Sequence, residues 1–218
     1  MRATPLHWVA LLAVAAGVGI ASGFVFHRLH RPAARPVAGA AAVLPALHGQ
    51  ALWKEGTRPA PAIALRDQDG REISLAALRG RPVLLTFMDS RCKSTCPVEG
   101  RQLASVLRTL PAAKRPTLVV VGVNPTGDTP ASVKHAMAKW TLAGPWRWHW
   151  LMGTRAQLAR VWHAYGIEVV PSGIAGDVLT HSLALYLIDA RGYERTAYLY
   201  PFLPAFVRGD LAKLAEAA

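Results

Sequence analysis

The sequence predicts an α/β fold, a sheet layered between helices, with a transmembrane helix ahead of it. Three observations carry that prediction. RPVLLTFM (81–88) and PTLVVVGVN (116–124) are continuous apolar runs of strand length, the pattern of strands buried on both faces. The segments between and after them place apolar residues at helical spacing. Trp8–Phe26, WVALLAVAAGVGIASGFVF, is 19 residues without a charge.

PAIALRDQDGREISLAALRG (61–80) reads as a strand, a turn at Asp69–Gly70, a short strand and a helical turn. After the run 81–88, Pro97 suits the first position of a helix. Val98, Leu103, Val106, Leu107 and Leu110 carry its spacing. After the second run, Asp128 or Thr129 caps a helix with Pro130 in its first turn. WRWHWLMG (146–153) alternates, so Trp146, Trp148 and Trp150 share one face of a strand and His149 takes the other. TRAQLARVWHAYG (154–166) is a capped helix with a glycine at its end. HSLALYLIDARGYERTAYLY (181–200) is a hairpin turning at Arg191–Gly192. PAFVRGDLAKLAEA (204–217) is a closing amphipathic helix. Strands that alternate with helices in this way build an α/β sandwich. No internal repeat is present.

At 1.5 Å per residue, the apolar segment spans about 28 Å, close to a bilayer core of about 30 Å. Residues 1–27 therefore read as an uncleaved membrane anchor. The rival is a signal peptide cut near Ala21–Gly23, and the stretch is longer than an ordinary signal core. Residues 28–50, rich in Ala and Pro and without periodicity, read as a flexible tether, and 51–218 as the folded domain. His27, His30 and His48 read as solvated linker histidines.

The net charge is +12, from 25 Lys+Arg against 13 Asp+Glu. The basic residues are scattered, with no run of five and no aromatic-interleaved stripe, so nucleic acid is not an expected partner. An anionic membrane surface or an acidic protein fits the charge. A domain of this length buries a core without disulfides.

Both cysteines, Cys92 and Cys96, lie in FMDSRCKSTCPVEG (87–100), in the turn after a central strand and at the mouth of a helix. Open α/β sheets gather their sites there, beyond the carboxyl ends of strands. A bridge closing so short a loop removes little chain entropy, which weakens a structural staple. A helix N-terminus, with Arg91 and Lys93 as flanking charges, lowers a thiol pKa and favours thiolate. Two thiolates suit reversible disulfide formation. They equally suit a soft ion, Cu(I) being the natural candidate. The spacing alone leaves both readings open.

A metal needs more donors. His149, on a strand, and His135 and His163, on helices, read as surface or core histidines. His181 differs, because it follows the Gly- and Pro-containing VVPSGIAGDVLT (169–180) and starts a strand. A loop of that composition can swing, which makes His181 a candidate third donor. Asp89, three residues before Cys92, reads as a solvated turn carboxylate.

The pattern as a whole resembles the Sco/SenC family, over about residues 55–205. The resemblance is carried by LRDQDGREISLAALRGRPVLLTF, CKSTCP, VNPTGDTPASVKHAMAKW, WRWHWLMGTRAQLARVWHAYGI and HSLALYLID. It implies a thioredoxin-like fold, a central mixed sheet flanked by helices. It implies a membrane-anchored copper protein of cytochrome c oxidase assembly. It implies copper held by the residues that match the family's two motif cysteines and strand-leading histidine: Cys92, Cys96 and His181. The family often has a proline after the first cysteine, where this chain has Lys93. It often has an aspartate before the histidine, where this chain has Thr180, the nearest acid being Asp177.

The expected role is a metallochaperone rather than an enzyme, delivering copper to the binuclear site of cytochrome c oxidase subunit II or to another copper-site apoprotein. The alternative is a membrane-anchored thiol–disulfide oxidoreductase using Cys92 and Cys96 as its redox pair, served by a thiol–disulfide reductant. Arg28, Arg31 and Arg35 after the anchor outnumber Arg2 before it, which read literally puts the domain inside. The cysteine chemistry points outward, and long domains translocate largely regardless of charge. The expected location is the cell (inner) membrane, single-pass, with the domain on the extracytoplasmic side.

Overall fold

The computed structural model describes residues 46–173 and 179–217. The expected anchor, the tether as far as residue 45, and Asp177 lie outside the described residues. Among the described residues no helix is long and apolar enough to cross a membrane.

Six strands form the main sheet: β1 (Ala51–Leu52), β4 (Val83–Met88), β5 (Thr117–Gly122), β6 (Trp148–Leu151), β9 (Ala184–Ile188) and β10 (Glu194–Leu199). Their order across the sheet is β1-β10-β9-β4-β5-β6. β4, β5 and β6 run parallel, with Val83 opposite Thr117 and Leu118 opposite Trp148. β9, β10 and β1 pair antiparallel, so the sheet is mixed. Two hairpins stand outside it: β2 (Ala64–Arg66) with β3 (Glu72–Ser74), and β7 (Val169–Pro171) with β8 (Leu179–His181). The helices are α1 (Cys96–Thr109), α2 (Pro130–Lys139), α3 (Arg155–Ala164) and α4 (Pro204–Glu216).

The sheet is buried on both faces, and alternate residues serve two cores. Leu84 and Met88 of β4, Leu118 and Val120 of β5, and Trp150 of β6 pack with Leu103 and Leu107 of α1, Met137 of α2 and Leu211 of α4. Val83, Leu85 and Phe87, with Val119 and Val121, pack against Leu158 and Trp162 of α3. Double-sided burial explains why β4 and β5 carry no polar alternation. The caps follow the sequence. Thr129 caps α2 with Ser132 completing a capping box, and Thr154 caps α3 with Gln157. Gly70 and Gly192 turn their hairpins at φ 79° and 92°.

Three expectations change. Ala46–Gln50, placed in the tether by composition, lie against the domain. His48 donates its backbone N–H and its Nδ1–H to the buried Asp210, each at 2.7 Å, and its ring stacks on Phe206. A linker histidine is thus a docked one, because α4 offers it a carboxylate that needs a partner. His181 ends β8, and the hairpin strand β9 starts later, at Ala184. The Gly- and Pro-containing stretch before it folds back on itself, with Val169 opposite His181. Val98 is 38% exposed, and its neighbour Glu99 takes the buried position on α1.

Candidate metal centre

The cysteine turn begins where β4 ends. Cys92 N–H donates to the Asp89 carbonyl at 3.1 Å, closing the turn. Asp89 is buried, not the solvated carboxylate that its place in a turn suggests. Its Oδ1 accepts from the Arg91 backbone N–H at 2.8 Å and from Asn124 Nδ2 at 3.1 Å. Asp128 Oδ1 accepts from the Ser90 backbone N–H at 2.9 Å, and the Ser90 and Ser132 hydroxyls meet at 2.8 Å. The segment 123–140 therefore buttresses the turn, with Asn124, Asp128 and Ser132 gripping residues 89 and 90. Burial pushes the Asp128 carboxyl up to about 6, against the opposing effect of its Ser90 bonds.

Cys96 opens α1, so its backbone N–H is one of the free donors of a helix start. It donates to Cys92 Sγ at 3.4 Å. The two sulfurs are not bridged. The Cys96 thiol donates a further hydrogen bond to Cys92 and is the main reason the Cys92 thiol falls to about 6. The Cys96 backbone N–H and Ser94 add to this, against the cost of burial. The direction is the expected one, but the dominant cause is the partner thiol rather than the flanking charges. Cys96 goes the opposite way. It donates to the Cys92 thiolate and is buried beside it, so its pKa lies well above the ordinary thiol value. The pair is therefore one thiolate and one thiol at neutral pH.

His181 meets this pair. Its Nε2 stands 3.8 Å from Cys96 Sγ. Its Nδ1 lies 3.0 Å from the Ser182 carbonyl, which can only accept, so Nδ1 carries the proton and Nε2 presents a lone pair. Burial lowers the His181 pKa, which keeps the imidazole neutral. The structure thus brings Cys92, Cys96 and His181 together. Among the described residues no three His, Cys, Asp or Glu side chains already surround one point as a finished metal cluster. The donors nevertheless suit a metal. Ligand bonds of about 2.3 Å to sulfur and about 2.0 Å to nitrogen, spread at a trigonal angle, put S and N about 3.8 Å apart. That is the Cys96–His181 separation.

His149 is not part of this group. It pairs with the buried Asp67 at 3.0 Å and ties β6 to the β2–β3 hairpin. Glu99, which the sequence reading passed over, is the residue it most needed. It is 1% exposed, one turn after Cys96. Oε1 accepts from the Thr86 hydroxyl at 2.7 Å, and Oε2 has no hydrogen-bond partner. Burial raises its pKa to about 7, and the Cys92 charge adds to the rise. Its signal lay in the helical spacing, since 99, 103, 106, 107 and 110 trace one face.

A mixed sheet between helices, with a thiol pair and an imidazole beyond the end of its central strand, defines a thioredoxin-like protein with a soft-donor site. The SCO1/SenC family pattern matches residues 55–216, and the chain belongs to that family. A Stutzerimonas stutzeri protein provisionally named copper-binding is 31% identical over 142 residues, covering 63% of this chain and 68% of its own. The structure of Bradyrhizobium japonicum ScoI with copper bound aligns with TM-score 0.58 and 24% identity, over 72% of this chain and 99% of that one. BsSco, described as a Sco-family cytochrome c oxidase assembly protein with a disulfide switch, aligns with TM-score 0.63 and 19% identity, over 78% of this chain and all of its own. These structural likenesses establish the fold.

Proposed function

We propose that this chain is a copper carrier of cytochrome c oxidase assembly, with copper as its cargo and Cys92, Cys96 and His181 as the ligands. The observation that carries the reading is the approach of His181 Nε2, lone pair forward, to within 3.8 Å of Cys96 Sγ. Disulfide exchange needs only sulfur, thiolate character and access. It gives an oriented imidazole nothing to do. Two sulfurs and one imidazole match the donor preference of Cu(I). Family membership supports the same cargo, as do the copper named for the Stutzerimonas relative and the copper bound to the Bradyrhizobium neighbour. Cys92 offers a ready thiolate, and Cys96 gives up its proton as copper binds. The acceptor in this reading is the binuclear copper site of cytochrome c oxidase subunit II. The domain works from an inner-membrane anchor on the extracytoplasmic side.

The unequal thiols also suit a second reading, a thiol–disulfide oxidoreductase in which the Cys92 thiolate attacks and Cys96 resolves. His181→Ala separates the two. Under the copper reading the variant binds Cu(I) at least about 10- to 100-fold more weakly, the loss typical of a disturbed metal site. It still reduces a model disulfide, and cells carrying it lose oxidase activity. Wild-type Cu(I) affinity in His181→Ala, measured against a competing chelator, refutes the ligand set and leaves a redox pair.

A further inference from the structure

Arg81 stands before β4, Arg115 before β5 and Arg147 before β6. These three strands are parallel, so the three arginines gather at one end of the sheet. The cysteine turn follows the other end. The arginines line a common cavity of about 270 Å³, floored by Trp146 and walled by Gly144 and Pro145. Gly144 fits closely over the indole, since a Cβ on it would fall 2.2 Å from the Trp146 ring.

Two of the guanidinium groups are fixed by neutral partners. Arg81 Nη1 donates to the Arg115 carbonyl at 2.9 Å. Arg115 Nε donates to the Leu107 and Leu110 carbonyls at 3.0 and 3.1 Å, and its Nη1 to the Pro145 carbonyl at 3.4 Å. Arg115 is thereby spent in part on the C-terminal end of α1. Among the described residues none of the three arginines is in an ion pair. The cavity lining contains no acid among the described residues; Asp69, which shares a neighbouring pocket with Trp146 and Arg147, pairs with Lys134 and Arg71, and Glu216 pairs with Lys114, the residue before Arg115. Cations held in place without a counter-charge are prepared for an anion, because the cost of ordering them is already met by the fold.

We propose that Arg81, Arg115 and Arg147 form a binding site for a phosphate-class oxyanion, at the end of the sheet remote from the cysteines. The planar guanidinium fork matches a phosphate in geometry as well as charge. Such a group comes from one of two sources, free phosphate or the headgroup of an anionic phospholipid. The inference is independent of copper binding, since none of its residues belongs to the thiol site.

The test uses the purified full chain in a neutral, phosphate-free detergent, read by its arginine Nε–H NMR signals. One arm adds inorganic phosphate. The other adds short-chain phosphatidylglycerol, with short-chain phosphatidylcholine as its control. Saturable shifts in the first arm assign free phosphate. Shifts with phosphatidylglycerol alone assign the lipid headgroup, since phosphatidylcholine carries a cation beside its phosphate. In either case Arg147→Gln and Arg81→Gln should each weaken binding about tenfold or more, the loss of one charge-assisted hydrogen bond. Arg147→Lys, which keeps the charge without the fork, should fall between. The amide spectrum of each variant verifies its fold, and Arg147 is the safest position because it is exposed. No saturable shift in either arm, or wild-type binding in either glutamine variant, overturns the site.

Discussion

Glu99 is a buried carboxyl whose charge the fold opposes, and Glu99→Gln exposes that cost. Burial is the largest cause of its rise from 4.5 to about 7, and the Thr86 hydroxyl opposes it only in part. The native state therefore holds a proton that the unfolded state releases across this range. Stability from this group is complete below about pH 4.5 and is lost as pH rises through about 7. The gap, at about 1.4 kcal/mol per pH unit, comes to about 3 kcal/mol. Glutamine keeps the shape and the acceptor for Thr86 but never ionises. Relative to wild type, Glu99→Gln should gain about 3 kcal/mol between pH 4.5 and 8, whatever its offset at low pH. For a domain of this size that is roughly 6–12 °C in melting temperature. The assay is urea or thermal unfolding of the reduced protein at several pH values. An infrared carboxyl band that titrates near pH 7 and is missing from the variant identifies the group. Cys92→Ser should move that band slightly lower, because the Cys92 charge is the minor contribution. A wild-type-minus-variant difference that does not change with pH refutes the reasoning.

Two further outcomes follow from the same geometry and from the sequence. Alkylation of Cys92 in the reduced native protein should rise through a midpoint of about 6, while Cys96 stays unreactive beyond the ordinary thiol range. Equal titration of both sulfurs, read by mass spectrometry of the labelled peptide, contradicts the assigned roles. The 19-residue apolar stretch should keep the protein in carbonate-washed membranes, and added protease should digest residues 46–218 in sealed spheroplasts. Protection of that domain means the arginine count after the anchor sets the orientation after all.

Periodicity made most of the fold legible. β4 and β5 read as buried strands because six apolar or small residues in a row leave no solvent face. α2 and α3 read from their caps, since Thr129 and Thr154 offer a hydroxyl where a helix start has free N–H groups. The β7–β8 hairpin was hidden for a physical reason. Only three residues pair on each side, and Pro171 with the glycines that follow it in the sequence is the signature of an irregular loop as much as of a turn. β1 was hidden similarly, as two residues on a sheet edge carry no pattern.

At the site, the sequence identified the atoms but not their burial, and burial decides the chemistry. Cys92 and Cys96 are the same side chain four residues apart. Only the fold makes one half-buried and hydrogen-bonded as a thiolate, and the other 1% exposed and reluctant to ionise. Asp89 and Glu99 look like ordinary polar residues of a turn and a first helical turn. Both are 1% exposed, because the segment 123–128 closes over the first and β4 covers the second through Thr86. A carboxyl at about 7 beside a thiol at about 6 means that neighbouring negative charges compete at neutral pH. A Cu(I) ion held by both thiolates leaves the net charge of the pair unchanged, because Cys96 gives up its proton as the ion binds, whereas a disulfide removes the Cys92 charge. The buried acid therefore senses the redox state of the thiols: a disulfide takes away the Cys92 charge that adds to the rise of the Glu99 pKa, so oxidation should lower that rise slightly.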